Sequence, residues 1–296
     1  MKKFQDIIDS LYRYISRHLQ AEVENYEQHI YNNMAHLVKY IHKGDVVLVE
    51  GRTKLSRIIK LFSNSSWSHV GMYVGDELVK KHRPYRERYL REFGEADSQH
   101  LLIEAYAGQG VVAVPLSKYK HYNIRVCRPY RIHSRDLKTV IEDVIGNLGK
   151  RYDQQNIVDI ALMLLPSWLN PFKQRSTMAC LGSCNDFQVI CSGMIARAFQ
   201  RVGYPVRPVL NPTPEEQHRI RNNPFGATLA MRHYSQILPR DFDLSPNFEI
   251  IKFNIIKAGK FNYKKLPWGE IDEAIPGQEL WQNSPGSDHQ RKNSRP

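Results

Sequence analysis

The chain has 296 residues, of which 42% are apolar and 24% charged, enough to give one large domain or two small ones a substantial core. Its net charge of +12 predicts attraction to something anionic, whether a phospholipid surface, a nucleic acid or an acidic substrate, and does not choose among them. Asp6, Asp9 and Arg13 interrupt the start, which argues against a secretory signal, and the lack of any run of about 18 apolar residues argues against a membrane span. Without an export signal, the four cysteines Cys127, Cys180, Cys184 and Cys191 are expected as free thiols. The expected location is the cytoplasm of a bacterium, with the inner face of the membrane as a peripheral station.

Ile7, Ile8, Leu11, Tyr12, Ile15 and Leu19, and then Ile30, Met34, Leu37, Val38 and Ile41, recur at helical spacing. They predict helix over residues 4–42, as one rod or a hairpin. Gly44 and Asp45 break it, and Val46 to Val49 is a β-rich run. Thr53 is placed to N-cap a helix reaching Phe62, and Ser63 to Ser66 is a loop. Ser68 to Gly75 alternates, with Val70, Met72 and Val74 on one face and His69, Gly71 and Tyr73 on the other.

Residues 80–99 are polar, carry both charge signs, and read as a surface excursion. Leu101 to Ala107 and Val111 to Leu116 read as strands joined by a turn at Gly108, Gln109 and Gly110. Asn123 to Cys127 is a further strand, and Ser134 to Leu148 a helix with Ser134 as N-cap. Ile157 to Trp168 is the most apolar stretch, ended by Pro166 and Pro171. Cys191 to Val202 is a helix closed by Gly203 and Pro205. Residues 205–232 read as irregular, Phe248 to Phe253 as a last strand, and the tail from about Gln282 as disordered.

Three residues carry candidate chemistry. Met194, Ile195, Ala198, Phe199 and Val202 share one helical face, which puts Cys191 in the first turn of its helix. There the free N–H groups and the dipole favour a thiolate and can hold an oxyanion. Spacing alone favours the plainer reading, a buried cysteine packing as a small hydrophobe. His69 stands beside Gly71, whose missing side chain leaves room for a substrate or a partner group, although with 12 histidines it has no special claim by count. Glu104 interrupts the apolar strand Leu101, Leu102, Ile103. Such a carboxylate either faces water or needs a partner, and an imidazole N–H would be a fitting one.

Five segments in order resemble the permuted papain-like enzymes of the NlpC/P60 superfamily, in their YiiX/YebB-like branch. Gly44-Asp45 with the run after it resembles their opening strand, and Ser68-His69 with Gly71 and Gly75 their histidine strand. Ile103-Glu104-Ala105 followed by Gly110-Val111 resembles the next hairpin, and Ile190-Cys191-Ser192 the nucleophile motif. Leu238-Pro239 through Asp241 to Ser245-Pro246 resembles the approach to their final strand. The likeness spans roughly residues 43–255, with the histidine ahead of the cysteine, the reverse of papain. Gly193 stands where the family usually has a small polar or acidic residue.

The resemblance implies an α+β fold, a circularly permuted papain-like core whose mainly antiparallel sheet carries the nucleophile helix. It implies Cys191 as nucleophile, His69 as base and Glu104 as the orienting group of a thiol hydrolase or acyltransferase, with no cofactor and no metal. The expected divisions are a helical extension over 1–42, a catalytic domain over 43–256 and a C-terminal extension over 257–296. The expected substrate is a small acyl-amide, an acyl-ester or a peptide. The rival reading is a catalytically silent papain-like binding module at an anionic membrane surface.

Three further patterns carry less. Cys180 and Cys184 have zinc-like spacing but lack a second ligand pair. Lys54, Arg57 and Lys60 beside Leu55, Ile58, Ile59, Leu61 and Phe62 make a basic amphipathic helix that suits an anionic membrane or an ordinary surface. Arg83, Arg86, Arg88 and Arg91 alternate with Tyr85, Tyr89 and Phe93, but Glu87, Glu92 and Glu95 dilute the patch and no nucleic-acid module is recognisable. Nucleic acid is therefore not the expected partner.

Overall fold

The computed structural model describes residues 18–23, 26–29, 32–106, 109–150, 191–210 and 229–253. The apolar stretch 157–168, Cys180, Cys184 and the C-terminal extension fall outside them. The chain divides into a unit Met1–Asn254, which holds all the described residues, and a unit Ile255–Pro296.

Six strands pair antiparallel: β1 (Val46–Val49), β2 (His69–Gly75), β3 (Leu101–Tyr106), β4 (Gly110–Pro115), β5 (Ile124–Pro129) and, near the end of the described chain, β8 (Phe248–Ile251). Their order across the sheet is β4-β3-β2-β1-β5-β8. β1 sits inside the sheet and is buried along its whole length, which is why it reads as an unbroken apolar run.

Strand alternation sends side chains into two cores. Val46, Leu48, Val70, Met72 and Ile103 join a first core, completed by α5 (Ser134–Ile145) through Val140 and Val144 and by α6 (Cys191–Arg201) through Met194, Ile195 and Phe199. Val47, Val49, Tyr73, Leu102 and Val126 join a second, closed by Leu37 of α1 (Met34–Tyr40) and by Leu116 and Tyr119 of a 3-10 turn, Leu116–Tyr119. The result is an α+β protein in which the helix that opens with Cys191 packs on an antiparallel sheet.

Several local expectations match. The helix α2 (Lys54–Ser63) is capped by Thr53, whose side chain accepts from the Ser56 N–H at 3.1 Å. Others are corrected. In α5 the N-cap is His133, and Ser134 is the first helical residue. The excursion over 80–99 is helical: α3 (Glu77–Lys81) runs into α4 (Arg83–Ser98). Tyr85, Tyr89 and Phe93 stack in succession at 5.9 and 5.6 Å between ring centroids, a one-turn aromatic stripe hidden among charges. Gly94, with φ of 78°, bends the helix where a side chain would be strained. Within residues 205–232, β6 (Pro208–Leu210) pairs with β7 (Leu229–Met231).

The helix expected over 4–42 is realised, among the described residues, only at His18–Gln20 and in α1. Between them the described residues form a non-helical strap, because neighbouring backbone offers them better partners. Lys54 N–H donates to the Ala21 carbonyl at 3.0 Å and Val23 N–H to that of Arg52 at 2.8 Å. The buried Asn32 amide donates to the carbonyls of Tyr119, Lys120 and Tyr122, at 3.1, 3.3 and 2.6 Å.

The turn into β1 is held by an ion pair. Gly44 takes φ of 91°, and Asp45 is buried with Arg128 Nε 2.9 Å from Oδ1 and the His42 N–H 2.8 Å from Oδ2. Removing the carboxylate leaves a guanidinium and an amide unpaired. Asp45→Ala should cost about 3 kcal/mol or more in urea unfolding. An unchanged midpoint would show that this pair does not anchor the turn.

Candidate active site

The site is assembled on β2 and β3. Register places Glu104 opposite Gly71, on the face that also carries His69 two residues earlier. Glu104 is fully buried. A lone carboxylate there would be strongly driven to take up a proton. Instead its two oxygens meet three partners. His69 Nε2 lies 2.7 Å from Oε2, the Tyr119 hydroxyl donates to the same oxygen, and the Lys118 ammonium pairs with Oε1.

Burial pushes the Glu104 carboxyl up, but the charges and hydrogen bonds of His69 and Lys118 outweigh it and bring its pKa down to about 2. The converse holds for His69. Burial disfavours its cation, yet the Glu104 charge and a hydrogen bond with Cys191 raise its pKa to about 10. Glu104 stays ionised and His69 holds a proton at neutral pH.

Cys191 is the first residue of α6 and is 9% exposed. Its side chain hydrogen-bonds that of His69. Since Glu104 occupies Nε2, Nδ1 is the ring nitrogen left for the sulfur. The Ser192 hydroxyl donates to the Ile237 carbonyl at 2.6 Å, which pins the start of the helix. The first turn of a helix has N–H groups without partners inside the helix, and Cys191 stands in that turn. The structure thus brings together Cys191, His69 and Glu104, the three residues singled out in the sequence.

Three more were not foreseen. Lys118 and Tyr119 come from the 3-10 turn after β4, which read as plain connection. The Tyr106 ring stands edge-on to His69 at 5.9 Å, with the Lys118 ammonium 4.8 Å from its centre. No spacing rule links a strand glutamate to a turn beyond the next strand. Only the hairpin register and the turn's curl bring them together.

Among the described residues, no group of three His, Cys, Asp or Glu side chains could hold a metal ion, and no helix is long and apolar enough to cross a membrane.

The sign of the pH dependence follows from the two shifts. The raised His69 pKa stabilises the fold fully below about 6.5, and that gain is lost as pH climbs through about 10. The lowered Glu104 pKa stabilises it above about 4.5, and that gain is lost as pH falls through about 2. Between the two His69 values the parent should lose up to about 1.4 kcal/mol per pH unit more than Glu104→Gln does, as read by denaturant unfolding across pH. Parallel curves for the two proteins would mean that the pair is not ionic.

Comparison with known proteins returns one family. Residues 40–159 match that of the permuted papain-like amidase enzyme, YaeF/YiiX, C92 family, a span that includes His69 and Glu104 and stops short of Cys191. Among solved structures the chain is similar to the metalloprotein yiiX from Escherichia coli O157:H7, with 16% identity, a TM-score of 0.43 and coverage of 72% of this chain and 98% of that one. No curated protein matches. Over residues 40–159, the segment that holds five of the sheet's six strands and two of the three site residues, the chain is similar to the permuted papain-like amidase family, YaeF/YiiX, C92.

Proposed function

We propose that this protein is a thiol hydrolase that cleaves an amide bond through a thioester on Cys191. The observation that carries the reading is a single imidazole held between a buried carboxylate and a thiol at a helix start. The family's description as an amidase favours an amide over an ester.

His69, already an imidazolium, holds on Nδ1 the proton given up by the thiol, and the sulfur attacks the acyl carbonyl. Backbone N–H groups at the start of α6 hold the oxyanion. The imidazolium returns its proton to the leaving amine as the C–N bond breaks. Water then gives a proton to His69 and attacks the thioester, releasing the acid and restoring the thiol. An amine or alcohol in place of water would make the same centre an acyltransferase. Glu104 stays ionised throughout, orienting the ring and stabilising its cation.

The substrate in this reading is a small acyl-amide or a peptide, met in a bacterial cytoplasm. An anionic membrane face is the proposed partner surface: on α2, Leu61 is 78% exposed and Arg57 is exposed on the same short helix. A silent binding module would need neither the ring's ion pair nor a thiol set against it.

Replacing Cys191 with Ala should lower turnover of acyl-amides by about 10³-fold or more while the fold is kept. Iodoacetamide should label Cys191 rapidly near neutral pH, and slowly in His69→Ala. Cys127, whose thiol burial pushes up to about 12, should stay unlabelled. Undiminished turnover by the alanine variant, with contaminating activity removed, would reject the assignment.

A further inference from the structure

The imidazole at this centre faces a difficulty of its own making. A buried, fully charged Glu104 holds the proton on His69 tightly. Catalysis asks the same ring to give that proton to a leaving amine. Something must temper the carboxylate without neutralising it by protonation.

We infer that Lys118 is a positioning residue of the reaction: its ammonium, bound to Oε1 of Glu104, fixes the carboxylate so that Oε2 faces His69 and offsets part of its charge. The inference rests on the hydrolase reading above and adds a fourth member to its centre. Geometry divides the labour. Oε1 belongs to Lys118 alone among the described residues, while Oε2 is shared by His69 and the Tyr119 hydroxyl. The Lys118 side chain is a third exposed, so water reaches it while the carboxylate it pairs with is fully buried.

Apart from His69 itself, the other groups that face Glu104 among the described residues supply no cation. From β3 comes Tyr106, and from the segment after the 3-10 turn Tyr122; burial raises both phenols above their ordinary value, so they are neutral at pH 7. Tyr119 is likewise held neutral, and its hydroxyl is a hydrogen-bond donor only. From the strap, Glu22 adds a negative charge near Tyr106 and Tyr122, and Arg52 a positive one near Tyr122. Lys118 also lies 4.8 Å from the centre of the Tyr106 ring that abuts His69 edge-on, so one side chain braces both the carboxylate and the wall of the imidazole.

A structural role and a charge role separate in one measurement. Lys118→Gln keeps a donor for Oε1 and removes the charge; Lys118→Arg keeps the charge. The rate of Cys191 alkylation by iodoacetamide is followed against pH in the parent, in both variants and in His69→Ala. Lys118→Gln should move the half-maximal pH upward by about one unit, because a site one positive charge poorer disfavours the thiolate. Lys118→Arg should stay near the parent. A glutamine curve that overlays the parent's, with His69→Ala still slow, would overturn the Lys118 assignment and leave the hydrolase reading standing. A parent thiol that reacts no faster than in His69→Ala would instead remove the reading on which the assignment rests. Should Lys118→Gln not fold, the arginine variant decides: a shifted curve there, with charge conserved, overturns the charge-offset role.

Discussion

A carboxylate buried in the sheet sets the terms for everything around it. Glu104 has no access to water, so its charge must be met by protein. Three groups from two separate pieces of chain converge to meet it: the ring from β2 and the ammonium and hydroxyl from the turn after β4. Each partner is in turn fixed by the fold. β2 is registered against β1 and β3, and the end of the turn with the segment after it is held by Asn32, whose amide reaches the carbonyls of Tyr119, Lys120 and Tyr122. The strap at the N-terminus and the site are therefore linked through one short turn.

The layout also explains why the fold suits this chemistry. A helix packed on a sheet delivers its first turn, whose N–H groups have no partner within the helix, to the strand that carries the imidazole. His69 is the first residue of β2 and α6 lies against that strand, so sulfur and ring meet at the strand's open end. The opposite end of the polypeptide closes the arrangement. Trp67, two residues before His69, donates to Asp243 of α7 (Pro239–Asp243) at 2.9 Å, and Arg125 of β5 pairs with the same carboxylate. Asp241 in α7 is buried and paired with Arg207, just ahead of β6. The segment that resembled a lead-in to the final strand thus clamps the neighbourhood of the imidazole.

Much of this was legible from residue order. Two-residue alternation in Val70, Met72 and Val74 fixed which face His69 would take, and the odd acid in an apolar run marked Glu104. The Cys191 helix could be read because its apolar face is regular. What stayed hidden was hidden for physical reasons. The helical patterns on either side suggest a helix running through the twenties, but hydrogen bonds from described residues there to residues 52–54 and 119–122 take its place, and such partners are invisible in a local window. The stripe Tyr85, Tyr89, Phe93 has helical spacing too, masked by surrounding charge. Lys118 and Tyr119 stand out only once the register of β3 and β4 is known.

The antiparallel order has a consequence for how the protein matures on the ribosome. β1 through β5 are neighbours in sequence and can pair as they emerge, so the imidazole and its carboxylate belong to the early-made half of the molecule. The thiol helix and the edge strand β8 are translated long afterwards. A half-synthesised chain would therefore carry a finished proton relay with no sulfur to serve. In the reading proposed above, reactivity would switch on only once the Cys191 helix has been made, which spares the earlier part of the chain and its neighbours from premature acylation.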